Sequence, residues 1–197
     1  MTIHAVILAG GLGSRLGHVR KADLLIGGQR LIDRVADRLE AVNGALLVST
    51  GSHRGMQLPK GALGVPDREM ESQGPLAGIA AAAAYLRETG SAHDSLVSVA
   101  VDSPFLPEDY FARMTEGLEQ AAYAAFGADF YPTNAHWPLG ALWDALGKHE
   151  PDSGPRTILS ALNARRVDWS PMLSENPFAS LNSLSDLIGL QMRARQA

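Results

Sequence analysis

The residues best equipped for chemistry gather near the amino terminus. Gly10-Gly11-Leu12-Gly13-Ser14-Arg15-Leu16-Gly17 is followed by His18 and then by Arg20-Lys21. Glycine lets backbone N–H groups approach a ligand closely. Arg15, His18, Arg20 and Lys21 make the same stretch locally cationic, although the whole chain carries a net charge of −4. N–H groups and cations on one loop suit a polyphosphate, so the loop reads as the nucleotide holder of an enzyme. A second candidate is Asp102, in Val99-Ala100-Val101-Asp102-Ser103-Pro104. A carboxylate ending an apolar run is half-desolvated and needs a partner. The partner is either an arginine or helix N-terminus, or Mg²⁺, which binds through one or two carboxylates plus phosphate oxygens. A phosphate loop at the same edge favours the metal. Asp67, after Val65-Pro66, is either a turn residue or an acceptor for a base or ribose. Gly74-Pro75-Leu76-Ala77-Gly78 opens a helix with small residues. They permit close approach of a flat ring or of another backbone.

Other chemistries lack their residues. There are no cysteines, which excludes disulfides, thiolate metal sites and cysteine nucleophiles. The six histidines are scattered and form no H-x-x-x-H pair. No G-x-S-x-G elbow is present. The P-loop pattern fails because Lys21 precedes Ala22. Gly11-x-Gly13-x-x-x-Gly17 narrowly misses the dinucleotide fingerprint, leaving an NADP-binding oxidoreductase as a rival. A ligand-free glycine connection is the purely structural alternative. Net acidity argues against nucleic acid as a partner. The longest apolar stretch, Ala77 to Leu86, is too short to span a bilayer. The N-terminus carries no basic segment with a cleavage site, so no signal peptide and a cytoplasmic location are expected.

The elements that must position these groups alternate. Strands are expected at 3–9, 45–48, 63–65 and 95–101. Helices are expected at 31–43, from Gly74-Pro75 to about 88, and from Pro107 to about 120. Residues 10–30 read as an extended loop with a turn at Gly27-Gly28. Beyond 120, strands are expected at 121–126, 130–131, 166–169 and across Trp137 to Trp143, with helices at 156–164 and 185–195. Gly147 to Pro155 reads as a mobile loop. At 46% hydrophobic and 19% charged residues, the chain has the makings of a substantial core. Strand–helix alternation predicts an α/β fold with a largely parallel sheet and helices on both faces. Ligands in such sheets lie beyond the strands' carboxyl ends. The Gly loop, Ser49-Thr50, Asp67 and Asp102 all follow strands, so one edge collects four candidate polar positions.

Taken in order, these segments resemble the molybdenum cofactor guanylyltransferase family, of MobA type. Leu8-Ala9-Gly10-Gly11-Leu12-Gly13-Ser14-Arg15-Leu16-Gly17…Lys21 is similar to its L-A-G-G-x-S/A-x-R-M-G-x-D-K opening. Gly74 to Gly78 matches G-P-L-A-G, and Val101 to Pro107 resembles C-D-x-P-x-x-P. Phe178 to Leu187 resembles F-x-N-x-N-T-P-x-D-L. The resemblance implies a Rossmann-like three-layer α/β/α sandwich of the nucleotide-diphospho-sugar transferase type. It implies one domain, with a nucleotide-binding half at 1–120 and an acceptor-binding half at 121–197. The implied reaction is Mg²⁺-dependent transfer of GMP from GTP to molybdopterin, releasing pyrophosphate. Leu8, Ala9, Gly10, Gly11, Gly13, Ser49, Asp67, Gly74 and Asn182 would contact substrates. Arg15 and Lys21 would hold the phosphates, and Asp102 the metal. Transient contact with cofactor-biosynthesis proteins or recipient enzymes is compatible with that role. Arg20 stands where the family has an acidic residue, Ser49 where it has Asn, and Ser180 where it has the first Asn of the late motif. Relatives that use CTP open with L-A-A-G, so Leu8-Ala9-Gly10-Gly11 leans towards GTP over a cytidylyltransferase.

Overall fold

A computed structural model describes residues 1–10, 12, 13, 19–51, 55–66, 74–149 and 153–195. Apolar strands set its frame. β1 (Ile3–Leu8), β6 (Leu46–Gly51), β7 (Leu63–Pro66), β8 (Ser95–Ala100), β9 (Ala122–Phe126), β10 (Asp129–Pro138) and β11 (Arg165–Asp168) form one sheet in the order β11-β9-β10-β8-β1-β6-β7. β1 runs parallel to both β6 and β8, β7 runs parallel to β6, and β11 runs parallel to β9. β10 is antiparallel to its neighbours β8 and β9. The sheet is therefore largely parallel, as the alternation predicts.

Continuous apolar runs mark strands covered on both faces. In β1, Ala5 and Ile7 face one core, while Val6 faces the other. The first core receives α1 (Leu31–Asp37), α3 (Tyr110–Met114) and α6 (Leu184–Ala194) through residues such as Leu31, Val35, Tyr110 and Leu190. The second receives α2 (Pro75–Thr89), α4 (Leu139–Leu146) and α5 (Pro155–Ala161) through Leu76, Ile79, Leu142 and Ile158. The result is a three-layer α/β/α sandwich. No helix among the described residues is long and apolar enough to cross a membrane.

Several boundaries differ from the sequence expectations. The helix expected at 31–43 ends at Asp37 and continues as tight turns, with Leu39 N–H donating to Ala36 and Val42 N–H to Leu39. Leu39 stays buried, so the apolar spacing finds the correct side of the chain although the helix has unwound. The helix expected to about 120 is only Tyr110–Met114; Gly117, at φ +73°, breaks a right-handed path. Trp137 to Trp143 is not a strand. Trp137 and Pro138 end β10, and α4 begins at Leu139. Leu139, Leu142 and Ala145 are buried at helical spacing, a pattern that a short, uniformly apolar run conceals. The separate strand at 130–131 is part of β10, which bulges between Tyr131 and Ala135. Pro132 sits in that irregularity, where a missing N–H costs little. Residues 10–30 are more ordered than an extended loop. β2 (Leu12–Gly13) pairs with β3 (Val19–Arg20), and β4 (Leu25–Ile26) pairs with β5 (Gln29–Arg30) around the Gly27-Gly28 turn. Of the expected loop at 147–155, residues 150–152 lie outside the described set.

Candidate active site

The site lies where β1, β6 and β8 end. Its cleft, about 470 Å³, has Leu8, Gly10, Lys21, Ser49, Gly74, Pro75, Gly78, Asp102, Thr133 and Ser180 on its wall. Close backbone packing shapes it. A Cβ on Gly10 would lie 2.9 Å from both the Cα and the N of Gly51, so β1 and β6 approach in a way only glycine allows. A Cβ on Gly78 would fall 2.5 Å from Ser49 Oγ and 3.0 Å from Leu8 Cδ2. Gly78 thus lets α2 press onto the strand ends, and Ser49 is almost wholly buried there.

Asp102 sits at the apex of a turn leaving β8. Val101 N–H donates to Leu8 O, and Ser103 N–H to Ala100 O. Asn134 of β10, fully buried, accepts from Ala100 N–H at 2.8 Å and donates to Ser103 Oγ at 3.3 Å. It takes over where β10 and β8 cease to pair, beyond Ala135–Ser98. Further along this loop, the guanidinium groups of Arg34 on α1 and Arg193 on α6 lie 5.0 and 4.6 Å from the Phe105 ring centre. The turn that carries Asp102 is therefore held from both sides.

Lys21 begins a short 3-10 turn, closed by Leu24 N–H donating to Lys21 O. Its ammonium lies 2.8 Å from Asp102 Oδ2 and 2.7 Å from Asn182 Oδ1. Asn182 precedes the capping box of α6. Ser183 Oγ accepts from Asp186 N–H, while Asp186 Oδ2 accepts from Ser183 N–H and Asn182 N–H. Those contacts, the Asn182 N–H first, hold the Asp186 carboxyl below the ordinary carboxylate range. Leu181 N–H donates to Asp102 O and fixes the same segment to the β8 turn.

The fold thus brings Leu8, Gly10, Lys21, Ser49, Gly74 and Asp102 to one cleft, with Asn182 joined through Lys21. Ala9 is buried, donates to Ser49 O and stands off the cleft wall, and the Gly13 backbone pairs with Val19. Gly11, Arg15 and Asp67 lie outside the described residues. Sequence reasoning missed Thr133 on the wall and Asn134 behind it. A buried amide between Pro132 and Pro138 gives no periodic signal; only its polarity in an apolar strand could have marked it.

Among the described residues, no group of three or more histidine, aspartate or glutamate side chains is arranged to hold a metal ion. A single carboxylate such as Asp102 would suit Mg²⁺ only where the metal arrives with a phosphate ligand, because such a metal needs one or two carboxylates and completes its shell with phosphate oxygens and water. A second cleft, about 580 Å³, runs along α6 and shares Ser180 with the first; Asn176, Ser185 and Arg193 also line it.

Residues 5–167 match the model of the MobA-like NTP transferase domain. A molybdenum cofactor guanylyltransferase of Rhodobacter capsulatus is 36% identical over 201 residues, covering 100% of this chain and 98% of that protein. One of Sinorhizobium fredii is 36% identical over 138 residues, covering 68% of this chain but 63% of that protein. The crystal structure of molybdopterin-guanine dinucleotide biosynthesis protein A from Archaeoglobus fulgidus superposes with a TM-score of 0.71. Identity to it is 18%, over 98% of this chain and 100% of that one, a likeness of fold.

Proposed function

The chain belongs to the MobA-like NTP transferase family, and we propose that it transfers GMP from GTP to the phosphate of molybdopterin, giving the guanine dinucleotide cofactor and pyrophosphate. The observation that carries this reading is the pairing of Lys21 with Asp102 on a glycine-shaped cleft at the strand ends. Such a cleft offers one cation for phosphate and one carboxylate for a phosphate-borne metal.

In the reaction, an oxygen of the molybdopterin phosphate attacks the α-phosphorus of GTP. A new P–O bond forms, the α–β bridge breaks, and pyrophosphate departs with the electron pair. Two anions must meet, so positioning and charge neutralisation dominate the barrier. Lys21 supplies a positive charge to the triphosphate, together with Arg15 and the N–H groups of the glycine loop. Asp102 would hold Mg²⁺, which when bound supplies Lewis-acid neutralisation of phosphate oxygens. Ser49, buried beneath Gly78, lies on the wall where the nucleoside is expected. The adjoining cleft along α6 is our candidate for the acceptor. No covalent intermediate is required, because the two clefts adjoin at Ser180 and can hold both substrates at once. We assign the enzyme to the cytoplasm, where the GTP pool is.

Pyrophosphate release from GTP, Mg²⁺ and molybdopterin tests the reading. Release with GTP and not CTP supports it. Release with CTP alone makes the protein a cytidylyltransferase, and no release with either nucleotide removes the assignment.

A further inference from the structure

Resting on that assignment of Lys21 to the nucleotide phosphates, we propose that Gln191, on the last turns of α6, is a positioning residue for Lys21. Its side-chain amide makes two hydrogen bonds to the β4–β5 hairpin. Oε1 accepts from Gly27 N–H at 3.0 Å, and Nε2 donates to Leu25 O at 2.7 Å. The tip of the hairpin also rests on α6, since a Cβ on Gly27 would lie 3.0 Å from Ala194 Cβ. The hairpin begins immediately beyond the 3-10 turn that carries Lys21, and Leu24 N–H ties that turn back to Lys21 O.

These contacts close a ring. The backbone runs from Lys21 to the hairpin, Gln191 joins the hairpin to α6, and the Asp186 capping contacts join α6 to Asn182. Asn182 then accepts from the Lys21 ammonium. An ammonium on a four-carbon stem has many rotamers, and a fixed origin for that stem reduces the search for its partners. Gln191 suits this task because its amide carries both a donor and an acceptor. Ile26 anchors the hairpin in the core while Leu25 is half-exposed, so the Gln191 bonds fix the Leu25 edge and the Gly27 tip that this packing leaves free. The position of the Lys21 backbone is therefore set in part from the far end of α6.

The test is GTP binding in the presence of Mg²⁺, measured calorimetrically on the full chain in a double-mutant cycle. Gln191→Met keeps the length and loses both hydrogen bonds. It should weaken GTP about fivefold when Lys21 is present and have little effect in Lys21→Ala. Gln191→Glu keeps the acceptor for Gly27 but turns a carboxylate oxygen towards Leu25 O, so it should weaken GTP at least as much as Gln191→Met. Thermal unfolding without ligand checks that each variant is folded, and the Glu variant carries the test if the Met variant is not. In turnover, a positioning role raises KM more than it lowers kcat. Equal weakening in the Lys21 and Lys21→Ala backgrounds overturns the proposal. So does wild-type affinity in both Gln191 variants while Lys21→Ala binds poorly. Unchanged binding in Lys21→Ala itself refutes the nucleotide assignment, and the proposal falls with it.

Discussion

The Lys21 ammonium lies 2.8 Å from the Asp102 carboxylate across 81 residues of sequence, and each ion is the other's counter-charge. The two side chains are only 16% and 20% exposed. The pair therefore keeps a phosphate-seeking cation and a metal-seeking carboxylate together at low cost. It also makes a prediction with two signs. Lys21→Ala should weaken GTP but tighten Mn²⁺ alone, by about fivefold, because Asp102 is then uncompensated. Electron paramagnetic resonance of free Mn²⁺ reads the second effect without turnover. Both Lys21→Ala and Asp102→Asn should lower turnover by orders of magnitude while the chain stays folded. The stability cost should be roughly 1–2 kcal/mol, less than for a fully buried pair. A near-normal rate in either variant removes that residue from the mechanism.

Gly10 and Gly78 predict different costs for the same added methyl group. At Gly10 the obstacle is the Gly51 backbone, 2.9 Å away, and no side chain can rotate aside. At Gly78 the Ser49 hydroxyl, 2.5 Å away, and the end of Leu8 can rotate aside, but Ser49 Cβ, 2.9 Å away, cannot. Gly10→Ala should cost about 2–3 kcal/mol by overpacking, and Gly78→Ala somewhat less, because the gain of about 1 kcal/mol in helix propensity inside α2 offsets part of the clash. Urea midpoints measure both. Gly78→Ala should also raise KM for GTP, since Ser49 and Leu8 line the cleft. Equal midpoints for the two variants would mean that β1 and β6 separate more readily than their register implies.

What was legible in the sequence follows from range. The apolar runs at Ala5 to Leu8 and Leu96 to Val99 announce buried strands because burial on both faces leaves no alternation to interpret. Asp102 was legible for the same reason, as the polar residue ending such a run. Its partner Lys21 was not, because that contact spans 81 residues, and the contact of Lys21 with Asn182 spans 161. A choice between an arginine, a helix terminus and a metal was all that local pattern could offer. Pro132 and Pro138 split β10 into fragments, although one lies at a bulge and the other at the strand end. Gln191 had no local signature, since its partners are the backbone of a hairpin formed by other residues.

His136 gives a pH dependence independent of catalysis. It is fully buried in β10, with Nδ1 on Gln120 O and Nε2 without a hydrogen-bond partner. Burial pushes its pKa down from 6.5 to about 4; the contact with Gln120 opposes the shift, and Arg165 adds to it. The unfolded chain therefore binds a proton between pH 6.5 and 4 that the folded chain refuses. Stability should fall as pH drops through this window, by up to roughly 3 kcal/mol, and the contribution levels off below the folded pKa. His136→Gln should flatten that part of the profile. Parallel slopes for wild type and variant in urea unfolding between pH 7 and 4 would show that another group carries the effect.

The capping box of α6 separates helix stability from the placement of Asn182. Ser183 Oγ accepts one helix N–H, from Asp186, so Ser183→Ala should cost about 1 kcal/mol. That cost should be somewhat larger at neutral than at acidic pH, because the Ser183 side chain also helps hold the Asp186 carboxyl down. Asp186 acts differently, because its carboxylate accepts from the N–H groups of both Asn182 and Ser183. Its pKa is lowered in the folded state, so its contribution is fully present above the unfolded value. The contribution is lost as pH falls through the folded one. Asp186→Asn should therefore destabilise the chain at pH 7 and converge towards wild type in acid. It should also weaken GTP binding, since the carboxylate acceptor for Asn182 N–H, which aims the Asn182 side chain at Lys21, is replaced by a weaker neutral amide oxygen. Ser183→Ala leaves that acceptor in place and should bind GTP nearly as wild type. If both variants weakened GTP alike, fraying of α6 and not the hold on Asn182 would be what the site feels.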